Sequence, residues 1–344
     1  MRPHRLLAAV CSVALVFLAV GSSASARPLD RPDQGPTLTL AVAGDVACTP
    51  GEVGVPPDGK ANGPDNCVQG STARQIEQLN PNAVLIPGDI QYQFGRLSEF
   101  MGSFDPTWGA FKAKIYPAAG NHEWYDSPNG KGYFDYFDGI GAPNGPAGPR
   151  DQGYYSVDLN RYWHVVTLNS NCTSDNPLIV APVPCGPGSP QERWLRADLA
   201  AHKGMCIIAQ WHHPLFTSGP NQGGPNDLAT RSFWADLYGA HATLIFNGHD
   251  HGYERFAPQS DTGALDPENG IREFVVGTGG KSLFGPGPFH ADNSELYDNT
   301  TFGVLTVTLH PHSYQWNFLR APISGNGVLT DSGSAPCNSP EMGE

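Results

Sequence analysis

The chain has 344 residues, 41 of them Gly and 32 Pro, with no repeating period. That composition suits a loop-rich globular domain and excludes a structural role built on repeats. Its 33 acidic and 20 basic side chains give a formal charge of −13, which repels polyanions, so nucleic acid is not expected as a partner. Any phosphate-bearing substrate would need a local positive field, such as bound metal ions supply.

Arg2 and Arg5, an apolar run at residues 6–20 and the small residues Ala24, Ser25 and Ala26 have the order of a secretory leader, predicted at residues 1–26. The run is short of the roughly 20 residues that span a bilayer. The exported chain is therefore expected to be soluble, without a membrane partner, and extracellular or periplasmic. Loss of Arg2 and Arg5 takes the charge from −13 to −15. Residues 27–36 are read as an unstructured lead, 37–321 as one domain and 322–344 as a loose tail.

Removal of Cys11 with the leader leaves six cysteines, an even number that reads as disulfides in an exported chain. Many connectivities are open. Pairing near neighbours joins Cys48 to Cys67 and Cys172 to Cys185, leaving Cys206 for Cys337.

One pattern recurs five times along the chain: a short apolar run that ends in polar residues, usually after Gly. The runs are 38–43 before Asp45, 83–86 before Asp89, 115–119 before Asn121 and His122, 206–209 before His212, and 244–246 before His249. Continuous apolar runs suit strands covered on both faces. Their carboxyl ends are where open α/β sheets place ligands. Further strands are predicted at 154–159, 162–168, 273–276, 304–309 and 314–318. Helices are predicted at 71–79 and 229–238, and behind the capping box Ser189-Pro190-Gln191-Glu192. Loops at 141–149 and 219–226 are expected to ring the site.

The strand ends supply two Asp, one Asn and three His, with Tyr92 three residues after Asp89. Carboxylate and imidazole donors in this mixture suit iron, zinc or manganese rather than calcium. Seven donors are too many for one ion and fit two, held roughly 3.5 Å apart by a shared carboxylate.

Gly44-Asp45, Gly88-Asp89-Ile90-Gln91-Tyr92, Gly120-Asn121-His122-Glu123, His212-His213-Pro214 and Gly248-His249-Asp250-His251 follow one another in the order of the purple acid phosphatase motifs. The chain resembles that branch of the calcineurin-like metallophosphoesterases over residues 38–320. The resemblance implies an α/β fold, a four-layer α-β-β-α sandwich. It assigns Asp45, Tyr92 and His251 to a first metal, Asn121, His212 and His249 to a second, and Asp89 to both. It makes His122 the catalytic imidazole that steadies the phosphate. Ala47 replaces the His usual in divalent relatives, and the Tyr92 phenolate offsets a trivalent ion: Fe(III) at the Tyr92 site with Fe(II), Zn or Mn at the other. The implied activity is hydrolysis of small phosphate monoesters by a metal-bound hydroxide. The alternatives are a phosphodiesterase or nucleotidase on the same metals, or a non-catalytic secreted binding protein. Asn221 stands where many members carry a His that assists the leaving group.

Of the remaining candidates, Glu123 and Asp250 are expected to orient ligand imidazoles. His213 either touches substrate or packs, and Trp124, Tyr125 and Tyr253 either line the pocket mouth or pack. His164, His202, His241, His290, His310 and His312 are read as structural.

Overall fold

The computed structural model describes residues 35–51, 67–125, 130–174, 177–323 and 325–339. The leader read at 1–26 and most of the lead read at 27–36 lie outside them. The strands among the described residues are β1 (Leu38–Val42), β2 (Ala83–Pro87), β3 (Ile115–Ala118), β4 (Tyr155–Asp158), β5 (Trp163–Thr167), β6 (Cys206–Gln210), β7 (Leu244–Asn247), β8 (Tyr253–Phe256), β9 (Arg272–Val276), β10 (Ser294–Asp298), β11 (Gly303–Leu309), β12 (Ser313–Arg320) and β13 (Ser332–Pro336).

They form two mixed sheets, in the order β13-β12-β11-β1-β2-β3 and β10-β8-β9-β7-β6-β5-β4. The parallel parts, β1-β2-β3 and β5-β6-β7-β9, carry the five motifs at their carboxyl ends. Strands β2, β6 and β7 are buried along their whole length, which explains their continuous apolar runs. In the second sheet, Val165, Ile208, Leu244 and Phe246 point into a core shared with Leu40, Val42 and Leu85 of the first. The alternate residues Val166, Ile207, Ala209 and Ile245 pack outward against Leu195, Leu199, Phe233, Trp234 and Leu237. Those five come from helices Pro190–Ala201 and Arg231–Gly239. Helix Gln69–Leu79 adds Ala73 and Ile76 to the first cluster. The layering is the expected α-β-β-α sandwich. Gln210 Nε2 stitches the sheets together by donating to Tyr116 O at 2.9 Å.

Ser189 caps helix Pro190–Ala201 as its sequence predicts, its hydroxyl accepting the Glu192 N–H at 3.1 Å. His164 is structural in form, its Nδ1 on Asp158 Oδ1 (2.7 Å) and its Nε2 on Asp198 Oδ2 (2.8 Å).

The tail expected to be loose beyond residue 321 is held to the fold at residues 332–338. Strand β13 pairs with β12, and Asn338 donates to Ala242 O and Gly270 O at 2.9 and 2.8 Å. Its sequence, Ser-Gly-Ser-Ala-Pro, hides the strand, because an edge strand half in solvent needs no apolar run and tolerates Pro at its end. Strands β8 and β10 and helix Lys131–Phe137 are likewise additional to the sequence reading. The loop at 141–149 folds onto that helix, Gly141 N–H on Asp135 and Ala147 N–H on Asp138, instead of reaching the motifs.

The six cysteines stand in the pairs Cys48–Cys67, Cys172–Cys185 and Cys206–Cys337. The last spans 131 residues and ties the tail to β6, so it removes the most freedom from the unfolded chain, worth up to about 4–5 kcal/mol. A Cys337→Ser variant is expected to melt several degrees lower than Cys185→Ser in matched thermal scans. Equal melting temperatures would show that the long loop adds nothing.

Candidate metal centre

The turns that end the central strands are tight. Asp45, Asp89 and His249 have φ of 58°, 47° and 70°, the left-handed region that few non-Gly residues occupy and that Asp and His enter more readily than most. Two glycines are sterically required beside them. A side chain at Gly88 would run into the His212 ring, and one at Gly120 would run into the Asp89 carboxylate.

The turns bring seven side chains into two groups. In the first, Tyr92 Oη lies 2.9 Å from Asp45 Oδ1, 3.0 Å from Asp89 Oδ2 and 2.8 Å from His251 Nε2. His251 Nδ1 is 2.5 Å from Ser282 O and donates there, so its Nε2 presents a lone pair. One phenol proton thus faces three acceptors. In the second, His212 Nδ1 donates to Pro87 O (3.0 Å). His212 Nε2 lies 3.0 Å from Asn121 Oδ1, 3.3 Å from Asp89 Oδ2 and 3.3 Å from His249 Nδ1. The Asn121 amide donates to Tyr125 Oη at 2.6 Å, which turns its oxygen inward. Both groups are collections of acceptors with too few protons, buried except for the half-buried His249. A cation in each resolves the shortage, and the hard oxygen and imidazole donors fit such ions.

Asp89 Oδ2 belongs to both groups, while its Oδ1 accepts the His122 N–H at 3.0 Å. Burial raises the Asp89 carboxyl, but the charges of His212 and then His122 outweigh it and hold it well below the usual carboxylate range. Burial likewise works against a His212 cation, yet Asp89 pushes His212 up to about 9. Burial, then Asp45 and Asp89, raise the Tyr92 phenol far above its ordinary value. His249 and His213 are pushed well down, first by burial and then by neighbouring imidazoles.

His122 anchors Nδ1 on Gln93 O at 2.6 Å. Its Nε2 stands 3.8 Å from Asp89 Oδ2, and the side chain is 15% exposed. It is the edge of the centre that faces solvent.

Glu123 and Asp250 make no hydrogen bond to a ligand imidazole; His212 and His251 instead lean on the backbone carbonyls of Pro87 and Ser282. Glu123 accepts the N–H groups of Ile90, Gln91 and Gly120 at 2.9, 3.0 and 2.8 Å. It thereby clamps the Asp89 and Asn121 turns to each other. Burial and then the Asp89 charge move it up to about 8, against the Gln91 and Gly120 donors. Asp250 accepts from Thr217 Oγ1 at 2.6 Å and Asn221 N at 3.1 Å, holding the 219–226 loop against the His249 turn. Asn221 Nδ2 also donates to His249 O at 3.2 Å.

His213 faces the second group, its Nδ1 held by Ser170 Oγ at 2.8 Å. Trp124 packs, donating to Ala181 O at 3.1 Å, whereas Tyr125 lines a cavity beside the site. Tyr253 is buried away from it, bonded to Asp331 at 2.6 Å. Ser170 and Phe284 were not singled out from the sequence. Phe284 stacks on His251 at 3.8 Å and 7°. Neither sits in a periodic run, so no local pattern signals it.

A family model described as calcineurin-like phosphoesterase matches residues 38–253. Purple acid phosphatase 21 of Arabidopsis thaliana is 27% identical over 224 residues, 61% of this chain and 46% of that protein. Purple acid phosphatase 22 of the same plant is 26% identical over 229 residues, again 61% and 46%. The chain spans about half the length of the curated relatives it matches. Among solved structures, a purple acid phosphatase from yellow lupin (Lupinus luteus) seeds aligns with a TM-score of 0.64 at 20% identity, over 88% of this chain and 54% of that one. That likeness is one of fold. With the family model matching well over half of its length, the chain belongs to the calcineurin-like phosphoesterases, and its homologues are purple acid phosphatases.

Proposed function

We propose that this protein is a secreted binuclear metallophosphatase that hydrolyses phosphate monoesters. The observation that carries the reading is the pair of buried acceptor groups that meet at Asp89 Oδ2, with His122 at their open edge. Asp45, Tyr92 and His251 would hold one ion, Asn121, His212 and His249 the other, and Asp89 both. Ions held there would supply the positive charge that draws in and polarises a phosphoryl group. Tyr92 suits Fe(III), whose charge favours the phenolate.

The remaining work falls to the chain's own groups. Tyr125 fixes the Asn121 amide, and Glu123 keeps the Asp89 and Asn121 turns in register. Because Nδ1 of His122 is committed to Gln93 O, Nε2 is the nitrogen left for substrate, and when protonated it donates to a phosphoryl oxygen. Water adds across the ester: its oxygen bonds to phosphorus, the P–O bond to the alcohol breaks, and the alcohol leaves with a proton. Asn221 provides no imidazole for that last step. The leader and the disulfides support export. Among the described residues no helix is long and apolar enough to cross a membrane.

The metal-loaded protein is expected to cleave a nitrophenyl monoester with a kcat/KM at least 10-fold above that for the bis-nitrophenyl diester. The reverse order would make it a diesterase.

Asp89→Ala is expected to release both metals, since Asp89 alone is proposed to touch each. His122→Ala is expected to keep both and to lose roughly 100-fold or more in kcat, the scale of one positioned donor. Metal analysis of the two variants checks the division of roles. One retained equivalent in the first, or any loss in the second, contradicts it.

A sample holding one equivalent of Fe(III) per chain is expected to show a visible charge-transfer band that disappears in Tyr92→Phe while iron is retained. An iron-loaded, colourless wild type would remove Tyr92 from the ligand set.

A further inference from the structure

Among the described residues, one group of metal-ligating side chains stands apart from the metal centre. Asp158 ends β4 and His164 lies at the start of β5, directly opposite it in the antiparallel pair, so the two side chains share a face of the sheet. His202 joins them from the C-terminal cap of helix Pro190–Ala201. This is the amino end of the parallel strands, whereas the five motifs lie at the carboxyl ends. Asp158, His164 and His202 each offer one donor atom, and the three atoms lie within 4.8 Å of one another.

Hydrogen bonds elsewhere on the rings decide which nitrogens those are. His202 Nδ1 donates to Asp198 O at 2.7 Å, which leaves a lone pair on its Nε2. His164 Nε2 donates to Asp198 Oδ2 at 2.8 Å, and its Nδ1 faces Asp158 Oδ1 at 2.7 Å. Asp198 thus sets both imidazoles, one through its carboxylate and the other through its carbonyl. Its remaining oxygen is held by the Ser156 hydroxyl at 2.7 Å. Ligating histidines are fixed in this way, by an N–H given to a carboxylate or a backbone carbonyl.

A carboxylate oxygen and two ring nitrogens therefore face one another. A proton on His164 Nδ1 satisfies Asp158 but leaves His202 Nε2 at 3.7 Å from that oxygen, beyond hydrogen-bond reach. A cation engages all three, and the carbonyl dipoles of the helix end favour one there. The two rings stack at 3.6 Å and 14°, so their lone pairs run side by side. Tilting the part-exposed His202 ring about its bond to Asp198 O makes them converge.

We propose that Asp158 Oδ1, His164 Nδ1 and His202 Nε2 bind one borderline divalent ion, Zn(II) above all, as a structural clip joining β4, β5 and the end of helix Pro190–Ala201. Two imidazoles and a carboxylate suit Zn(II), where Mg(II) and Ca(II) take oxygen. The ion replaces the His164 Nδ1 proton, which leaves to solvent. Because the Asp158 side chain is 53% exposed, water completes the four-coordinate shell and the ion exchanges with the medium. Dialysis against metal-free buffer clears it, and metal analysis after that step counts the centre alone.

The test is a Zn(II) count. The full chain carrying Asp89→Ala is dialysed against metal-free buffer and titrated with Zn(II) by calorimetry. It is expected to bind one equivalent per chain more than the Asp89→Ala/His202→Gln double variant. That difference holds whether or not Asp89→Ala empties the centre, so the clip and the phosphatase reading fail separately. A thermal scan without metal shows that both chains are folded. If the His202→Gln chain is not, Asp158→Asn, at a half-exposed position, carries the comparison. Equal counts in folded chains overturn the site. So does equal binding of Mg(II), which would show neutralised carboxylates rather than coordination by imidazole.

Discussion

One buried carboxylate oxygen, Asp89 Oδ2, organises the centre. It stands 3.0 Å from the Tyr92 hydroxyl and 3.3 Å from His212 Nε2, so two groups of acceptors meet at one atom with far fewer protons than lone pairs. Leaving such atoms unsatisfied away from water is costly. Their presence in the core of an otherwise well-bonded fold marks a place shaped for cations. The His212 proton held by Asp89, and the Tyr92 proton kept on by two carboxylates, are the partial remedies available to the side chains alone.

The rest of the architecture keeps that oxygen where it is. Its strand end turns through Gly88, which leaves room for the His212 ring, and Gly120 leaves room for the carboxylate itself. Glu123 then ties the Asp89 turn to the Asn121 turn by three backbone N–H groups. This is a different task from orienting imidazoles, and it is the stronger constraint, because it fixes backbone on two strands at once. The Nδ1 atoms of His212 and His251 are oriented by the carbonyls of Pro87 and Ser282 rather than by Glu123 or Asp250.

Outside the centre, the same economy of rigid loops recurs. Beside the Cys172–Cys185 disulfide, Cys172 and Thr173 are fastened to Asn226 and Ala181 to Trp124, and the 219–226 loop is held by Asp250. Loops that border a site built on strand ends must be held by something other than sheet hydrogen bonds, and here side-chain acceptors and a disulfide do it. The tail follows the same logic, its polar edge strand secured by pairing with β12 and by Cys206–Cys337.

The residues by themselves pointed to the five strand ends and to the donors that leave them, while the sandwich was implied by the resemblance of the motifs to a known family. Strands buried on both faces must be written as continuous apolar runs, and donors at their carboxyl ends are fixed in position by sheet geometry. The pairing of cysteines was left open by the sequence, and the structure decided it in favour of near neighbours and the long Cys206–Cys337 link. What only the tertiary structure decided depends on partners far apart in the chain. Glu123 meets Ile90 and Gln91, Asp250 meets Thr217 and Asn221, Phe284 stacks on His251, and Ile179 reaches the cavity beside Asn121. None of these leaves a period or a local motif, because a hydrogen bond or a packing contact between distant residues constrains each of them by shape alone. Strand β13 was hidden for a related reason: an edge strand with both faces half in water carries no apolar signature, and only its neighbour β12 makes it a strand.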